Sequence, residues 1–326
     1  MTQTVELPAL DGRDALGFLA ALGTLRLLND EAHIDTRLSF NEKNACAILH
    51  GPLGSIDQIV NTLVQIITRV PENGVIPGVP ATFPIAKTGM EKDPMRMPRG
   101  QLRTTAQHLL STAPANAALG RWLAALATDL ATDAEGRVGL TPYTAPAGQQ
   151  SLRSFFTKPL TEVRKDPPTL IREALIRWRR VDGYTGEYLD HRVLRSAADH
   201  PTGKSVEAGV PGATWLAIMA LPLLRLTGTG TAVQATLWHH LPGRRQPVMT
   251  WPLWRQPLHP HAVTALLEHP DLRPNTTAGQ ITVNPTTWPP LGVFTITGAA
   301  RQPVGGRKSA GVLAPITLKV SGTTRR

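Results

Sequence analysis

The chain predicts an α+β fold that mixes helices with antiparallel strands and leaves long loops rich in proline and glycine. Three observations carry this. Short apolar runs typical of strands occur near both ends. Segments of helical periodicity lie between them. Two stretches, 71–100 and 134–168, hold too much proline for either element to run through them unbroken. No repeat of fixed period is visible, and the fold leaves room for a ferredoxin-like element.

TVELPAL reads as a strand, and DGRDALGFLAALGTLRLLND as a helix with Asp14 as N-cap. Leu16, Leu19, Ala20, Gly23 and Leu27 share one face of that helix, while Phe18, Leu22 and Leu25 cover the other, which predicts burial nearly all round. Gly17, Ala20, Ala21 and Thr24 form a small-residue stripe that lets another element pack close. TRLSF (36–40) and ACAILH (45–50) read as a hairpin across the polar turn NEKN, followed by an amphipathic helix over 56–70 capped by Ser55. The segment 71–100 has six prolines and four glycines and is read as loop, basic in its second half. Helices are expected at 102–112, 117–132 and 168–181, with 134–168 irregular. The apolar run at 213–226 is buried helix or strand. Strands follow at 233–238, 281–283, 293–298 and 312–320, with a short helix near 261–269. The organisation expected is an N-terminal α+β lobe (1–133), a proline-rich connecting segment (134–168) and a C-terminal α+β lobe (169–326), which can close into one unit.

Lysine and arginine number 34 against 24 acidic residues, a net charge of +10, which favours polyanionic partners. The single cysteine, Cys46, excludes a disulfide framework and a thiolate metal cluster. MTQTVELPALDGRD lacks the basic n-region of a signal peptide, and the longest apolar run, ATWLAIMALPLL, is too short to span a bilayer. A cytoplasmic protein without a membrane partner is expected.

Motifs for chemistry are sparse. GKS at 203–205 has Ala198 where a phosphate-binding loop needs its first glycine, and lacks a strand before it and a helix behind it. His239 and His240 are adjacent, so within a strand they face opposite ways. Asp190–His191 and Asp199–His200 pair carboxylate with imidazole, but nothing has the spacing of a metal motif. No cofactor, metal or catalytic residue is expected. Trp251 and Trp254 in MTWPLWRQPL lie beside arginine, as in a single-strand stacking platform, though tryptophan is more often a core anchor.

Basic residues cluster in four places: 87–103 (with Arg96, Arg99 and Arg103), 177–180 (Arg179, Arg180), 244–255 (Arg244, Arg245, Arg255) and 301–308. In the last, GAARQPVGGRKSAGVLAP, Arg301, Arg307 and Lys308 stand with Gly305 and Gly306 and no nearby carboxylate. Paired glycines let another molecule approach the backbone, and the cations suit an anion. These residues form the expected nucleic-acid-binding set.

Three stretches resemble a known group. LDGRDALGFLAALGTLRLL is similar to the N-terminal signature of CRISPR-associated proteins of type I-G (formerly I-U) systems, with Ala15 where that signature usually has proline. DGYTGEYLDHRVLRSAADHPTGKSVEAGVPGATWLAIMALPLLRL resembles the middle of their short accessory family, and MTWPLWRQPL with the RKSAG loop its C-terminal third. The likeness runs in islands between about residues 5 and 315, nearest to the helicase–nuclease extension family and the small effector subunits. It implies a non-catalytic subunit of an RNA-guided effector in antiviral defence, binding CRISPR RNA, target DNA or both, alongside other subunits. Such a subunit holds backbone through cations and shape while base pairing reads sequence. A metal-free endoribonuclease that processes CRISPR RNA, needing one imidazole and nearby cations, and a protein–protein adaptor are the alternatives.

Overall fold

The computed structural model describes residues 2–89, 92–111, 117–144, 151–195, 206–303 and 311–321. The chain begins with β1 (Gln3–Asp11), α1 (Ala15–Arg26, continued by a π-turn over Leu27–Glu31), the hairpin β2 (Arg37–Phe40) and β3 (Cys46–Gly51), and α2 (Ile56–Arg69). These strands form an antiparallel sheet ordered β1-β3-β2. Strand–helix–hairpin–helix with this order matches the first five elements of a ferredoxin-like split β-α-β unit. Among the described residues no fourth strand pairs with the free edge of β1.

The middle of the chain departs from expectation twice. After α3 (Arg99–Ser111), α4 (Ala117–Leu126) stops early, and residues 127–132 are strand β4 (Ala127–Thr132), paired with β5 (Val138–Leu140). In ATDLAT the Thr128 hydroxyl accepts from the Leu130 amide at 3.2 Å, a local bond that competes with helix. Within the stretch expected to be irregular lies α5 (Leu152–Val163), with Pro159 inside it. Ser151 and Ser154 form a reciprocal cap, and Leu152, Phe155, Phe156, Leu160 and Val163 are buried, enough to hold the helix through the proline.

Then come α6 (Pro167–Ile176), β6 (Val181–Asp182), β7 (Leu194–Arg195), β8 (Val206–Gly209) and α7 (Pro211–Ile218). The C-terminal part holds β9 (Leu226–Gly228), β10 (Val233–Ala235), β11 (Trp238–His239), β12 (Val248–Trp254), α8 (Pro260–Leu267), β13 (Asn275–Thr277), β14 (Gln280–Val283), β15 (Val293–Gln302), β16 (Val312–Pro315) and β17 (Lys319–Val320). Its main sheet is antiparallel, ordered β11-β12-β15-β16. The mixed helices and antiparallel sheets are an α+β fold. Among the described residues no helix is long and apolar enough to cross a membrane.

One hydrophobic cluster takes residues from Val5 to Leu313, so N- and C-terminal elements share it. At its centre every residue of α1 is buried. Asp14 caps the helix, accepting from the Leu16 amide at 2.9 Å. Trp251 and Trp254 are buried, as the core-anchor reading has it; Trp251 stacks on Phe18 and Trp254 meets the Phe40 ring edge-on. Their indole N–H groups donate to the carbonyls of Gly12 (2.7 Å) and Leu38 (2.8 Å). α1 packs against α7, where a Cβ on Gly23 would overlap the Leu216 carbonyl oxygen.

The proline-rich segment after α2 is held by arginines from α5 and its C-cap. Arg153 donates to the carbonyls of Asn73, Ala81 and Pro84, and Arg164 to those of Val70, Pro71 and Glu72. Chain without regular structure leaves its carbonyls unpaired, and guanidinium forks supply the missing donors.

Gly23→Ala is expected to lower stability in urea unfolding by about 1–3 kcal/mol through overpacking. Gly120→Ala in α4, where a Cβ meets nothing within 4 Å, is the control. It should raise stability by up to about 1 kcal/mol on helix propensity alone.

Candidate nucleic-acid interface

The structure divides the predicted cations into three groups. Arg301 and Arg180 are half-buried and turned onto the chain itself, which corrects the expectation that they face a ligand. Arg301, on β15, donates to the carbonyls of Pro142 (3.2 Å), Tyr143 (2.8 Å), Tyr188 (3.0 Å) and Gly311 (2.9 Å). Burial pulls its guanidinium down to about 9, which leaves it charged at neutral pH. Four carbonyls from three separate stretches of chain thus meet on one cation. Arg180 donates to the Ala208 carbonyl at 2.8 Å and to Asp190 at 2.5 Å.

Arg103, Arg179 and Arg255 are exposed but ion-paired, with Asp129 (2.6 Å), Glu173 (2.6 Å) and Glu42 respectively. Such exposed pairs are weak in water. Arg96 and Arg99 are exposed before and at the start of α3. Arg244 and Arg245 project from the turn between β11 and β12, exposed and with no side-chain partner among the described residues. Gly305, Gly306, Arg307 and Lys308 lie outside the described residues, as does GKS at 203–205. The chain beyond that motif is strand β8, not the helix a phosphate-binding loop requires.

Asp14, Asp190 and His191 bring three ligand-type atoms within 4.8 Å of one another. Arg192 donates to both carboxylates (3.1 Å to Asp190) and lies over the Trp178 ring at 5.1 Å. Burial alone would raise the Asp190 carboxyl, but Arg180 and Arg192 outweigh it and hold the group below its ordinary value. The charge a metal ion would supply is already supplied by guanidinium groups, and the cluster ties the cap of α1 to the chain after α6.

The arrangement best suited to a ligand is a cleft of about 390 Å³ bounded by β9–β12 on one side and the end of α8 with residues 268–275 on the other. His239, His240 and His269 line it, together with Arg225, Arg273 and Glu268. His239 and His240 both reach it because β11 ends at His239, so strand alternation no longer separates them. Arg225 is paired with Glu268, which also accepts from the Thr236 hydroxyl at 3.1 Å. Arg273 is exposed, with no side-chain partner among the described residues. Burial first, then the nearby Arg273 charge, lowers His239 to about 4, so its imidazole is neutral at pH 7.

β12 runs past the end of β11. The Thr250 amide donates to the Leu237 carbonyl at 2.9 Å, and two residues on, where the same edge faces the cleft, stands Pro252 with no N–H to leave unpaired. The Thr250 hydroxyl is buried and has no hydrogen-bond partner among the described residues. Sequence reading missed Arg273 and Thr250. The signal available was the sequence TLWHHLPGRR, a strand stopped by proline and glycine with two imidazoles and two guanidiniums at its end.

No protein-family model matches the chain, and no curated protein matches it either.

Arg301→Lys should cost about 2–4 kcal/mol in urea unfolding, because one ammonium cannot serve four buried carbonyls. His239 gives a pH prediction. With its folded value near 4, below the ordinary 6.5, its contribution to stability is full above pH 6.5 and is lost as pH falls toward 4. His239→Gln should remove that part of the acid sensitivity, up to roughly 3 kcal/mol between pH 7 and pH 4 by denaturation at each pH.

Proposed function

We propose that this chain is a non-catalytic nucleic-acid-binding subunit of a type I-G-like CRISPR RNA-guided effector, working in the cytoplasm with other effector subunits on CRISPR RNA, target DNA or both. One observation carries the binding part. Two of the predicted cations left free by the fold, Arg244 and Arg245, extend from the turn that begins at the rim of the cleft holding Arg273 and three histidines. The net charge of +10 supplies long-range attraction. The effector assignment rests on the three sequence islands.

A single-stranded 20-mer is expected to bind about 10- to 1000-fold more weakly at 200 mM than at 50 mM salt. Arg244→Ala with Arg245→Ala should reduce the slope of log affinity against log salt by about 1–1.5 units, since each lost phosphate contact removes about 0.7 on a single strand. RNA should co-purify with the protein, visible as a raised 260/280 nm ratio. Affinity that stays flat across the salt range overturns the reading.

The three histidines at one cleft favour a second reading, the metal-free endoribonuclease. Cleavage of a CRISPR repeat at one position in EDTA, lost in His240→Ala, would establish it instead.

A further inference from the structure

The chemistry of the cleft is more specific than attraction to a polyanion. It has an apolar wall and a polar end. Trp238, Leu241 and Leu272 belong to the first. Trp238 is braced edge-on by Tyr143, with ring centroids 5.9 Å apart, and the Tyr143 hydroxyl is fixed by donating to the Thr236 carbonyl at 2.7 Å. At the polar end Glu268 neutralises Arg225 and Arg273 has no counter-ion, so the free charge of that pair of cations is Arg273's alone. Neutral imidazole beside it offers an N–H donor. One uncompensated guanidinium with an imidazole donor suits one phosphate group. The volume, about 390 Å³, is at the lower end of the ~300–1,000 Å³ found for small-molecule sites. The buried Thr250 hydroxyl, unpartnered among the described residues, is a polar group that a protein interior rarely leaves unsatisfied, and it lines this cleft.

We infer that the cleft holds one nucleoside monophosphate unit, with its phosphate on Arg273 and the adjoining imidazoles and its base against the Trp238–Leu272 wall. The inference rests on the nucleic-acid-binding reading above and deepens it. The unit can be one residue of a bound strand, which Arg244 and Arg245 then follow outward along the backbone, or a free nucleotide. The chemistry recognised is the same in both cases.

The test uses the full chain and three probes: a uridine 12-mer, the four nucleoside 5′-monophosphates and inorganic phosphate, with Trp fluorescence or calorimetry as readout. In the wild type a monophosphate should displace the 12-mer, and should do so at least tenfold better than inorganic phosphate. Arg273→Gln, a surface change that leaves the fold intact by its melting temperature, should weaken both nucleotide probes tenfold or more. Thr250→Val, which keeps the side-chain volume, should weaken the monophosphate without changing the salt slope. A 12-mer that binds far more tightly than any monophosphate identifies a strand residue as the occupant, and equal affinities identify the free nucleotide. If Arg273→Gln changes nothing while Arg244→Ala with Arg245→Ala releases the 12-mer, the inference falls and the nucleic-acid reading stands. Inorganic phosphate that competes as well as a monophosphate also overturns it. If neither the 12-mer nor any monophosphate binds, both fall together.

Discussion

Two indole hydrogen bonds set the geometry on which the rest of the molecule depends. Trp251 donates to Gly12 and Trp254 to Leu38, joining β12 to residues more than two hundred positions earlier. The contact requires glycine at 12, because a Cβ there would lie 2.7 Å from the Phe40 ring and the Leu253 side chain. Gly12 also starts the turn that leads to the Asp14 cap, so the entry of α1 and the anchoring of the C-terminal sheet are one constraint. With α1 fixed, Gly23 can meet the α7 backbone, and Arg26 can reach the Met219 carbonyl at 2.5 Å while lying over Trp122. A buried guanidinium tolerates such a position only with acceptors arranged around it, and Asp30 and Glu31 complete them.

The same strand builds the cleft. Trp251 and Leu253 turn into the core, while Thr250 and Pro252 line the other side. Strand alternation therefore couples the Trp251 anchor to placement of the cleft floor, the kind of support a binding site needs from its scaffold. The register shift between Leu253 and Trp254 interrupts the alternation where Trp254 enters the core. Leu237, just before β11, is held at a φ of +72°, a conformation that non-glycine residues seldom adopt. It redirects the chain between β10 and β11, and its carbonyl is the one that accepts from Thr250. It is one of several non-glycine positions with positive φ, with His33, Ala45, Glu187, Tyr188 and Ala278, and it lies beside the candidate site.

Most of the fold was legible in the sequence, because caps, hairpins and periodicity are local. Asp14 and Ser55 cap the helices they were expected to cap. The failures differ in cause. Proline in 134–168 argued against regular structure, yet burial of one face holds α5 through Pro159, whereas α4 gives way to β4 where a local Thr128 bond competes with helix. The cations were harder, since their partners are remote in sequence: Arg255 meets Glu42, and Arg301 meets loops more than a hundred residues away. Nothing within a short window distinguishes an arginine that closes a loop from one that faces solvent. The resemblance has the same limit. Gly17, Gly23 and Arg26 in its first island and Leu216 in its second are packing residues, so these positions say little about a ligand.

This changes what the positive charge means. Arg26, Arg153, Arg164, Arg180 and Arg301 all donate to backbone carbonyls, and they do so where the chain is irregular or helices approach too closely for ordinary pairing. A fold with so much proline has many carbonyls that no amide reaches, and arginine is the side chain with enough donors to gather several at once. Part of the net +10 is therefore a consequence of architecture. Those charges still contribute to the field and to the rate of encounter with a polyanion. Most of their donors are turned inward on the chain's own carbonyls, however, which leaves them poorly placed to recognise one. Recognition falls to cations with open donors, and around the cleft these are Arg273 and the Arg244–Arg245 pair. On the proposed reading, the basic composition draws an anion toward the surface, and the cations left without side-chain partners among the described residues around the cleft hold it.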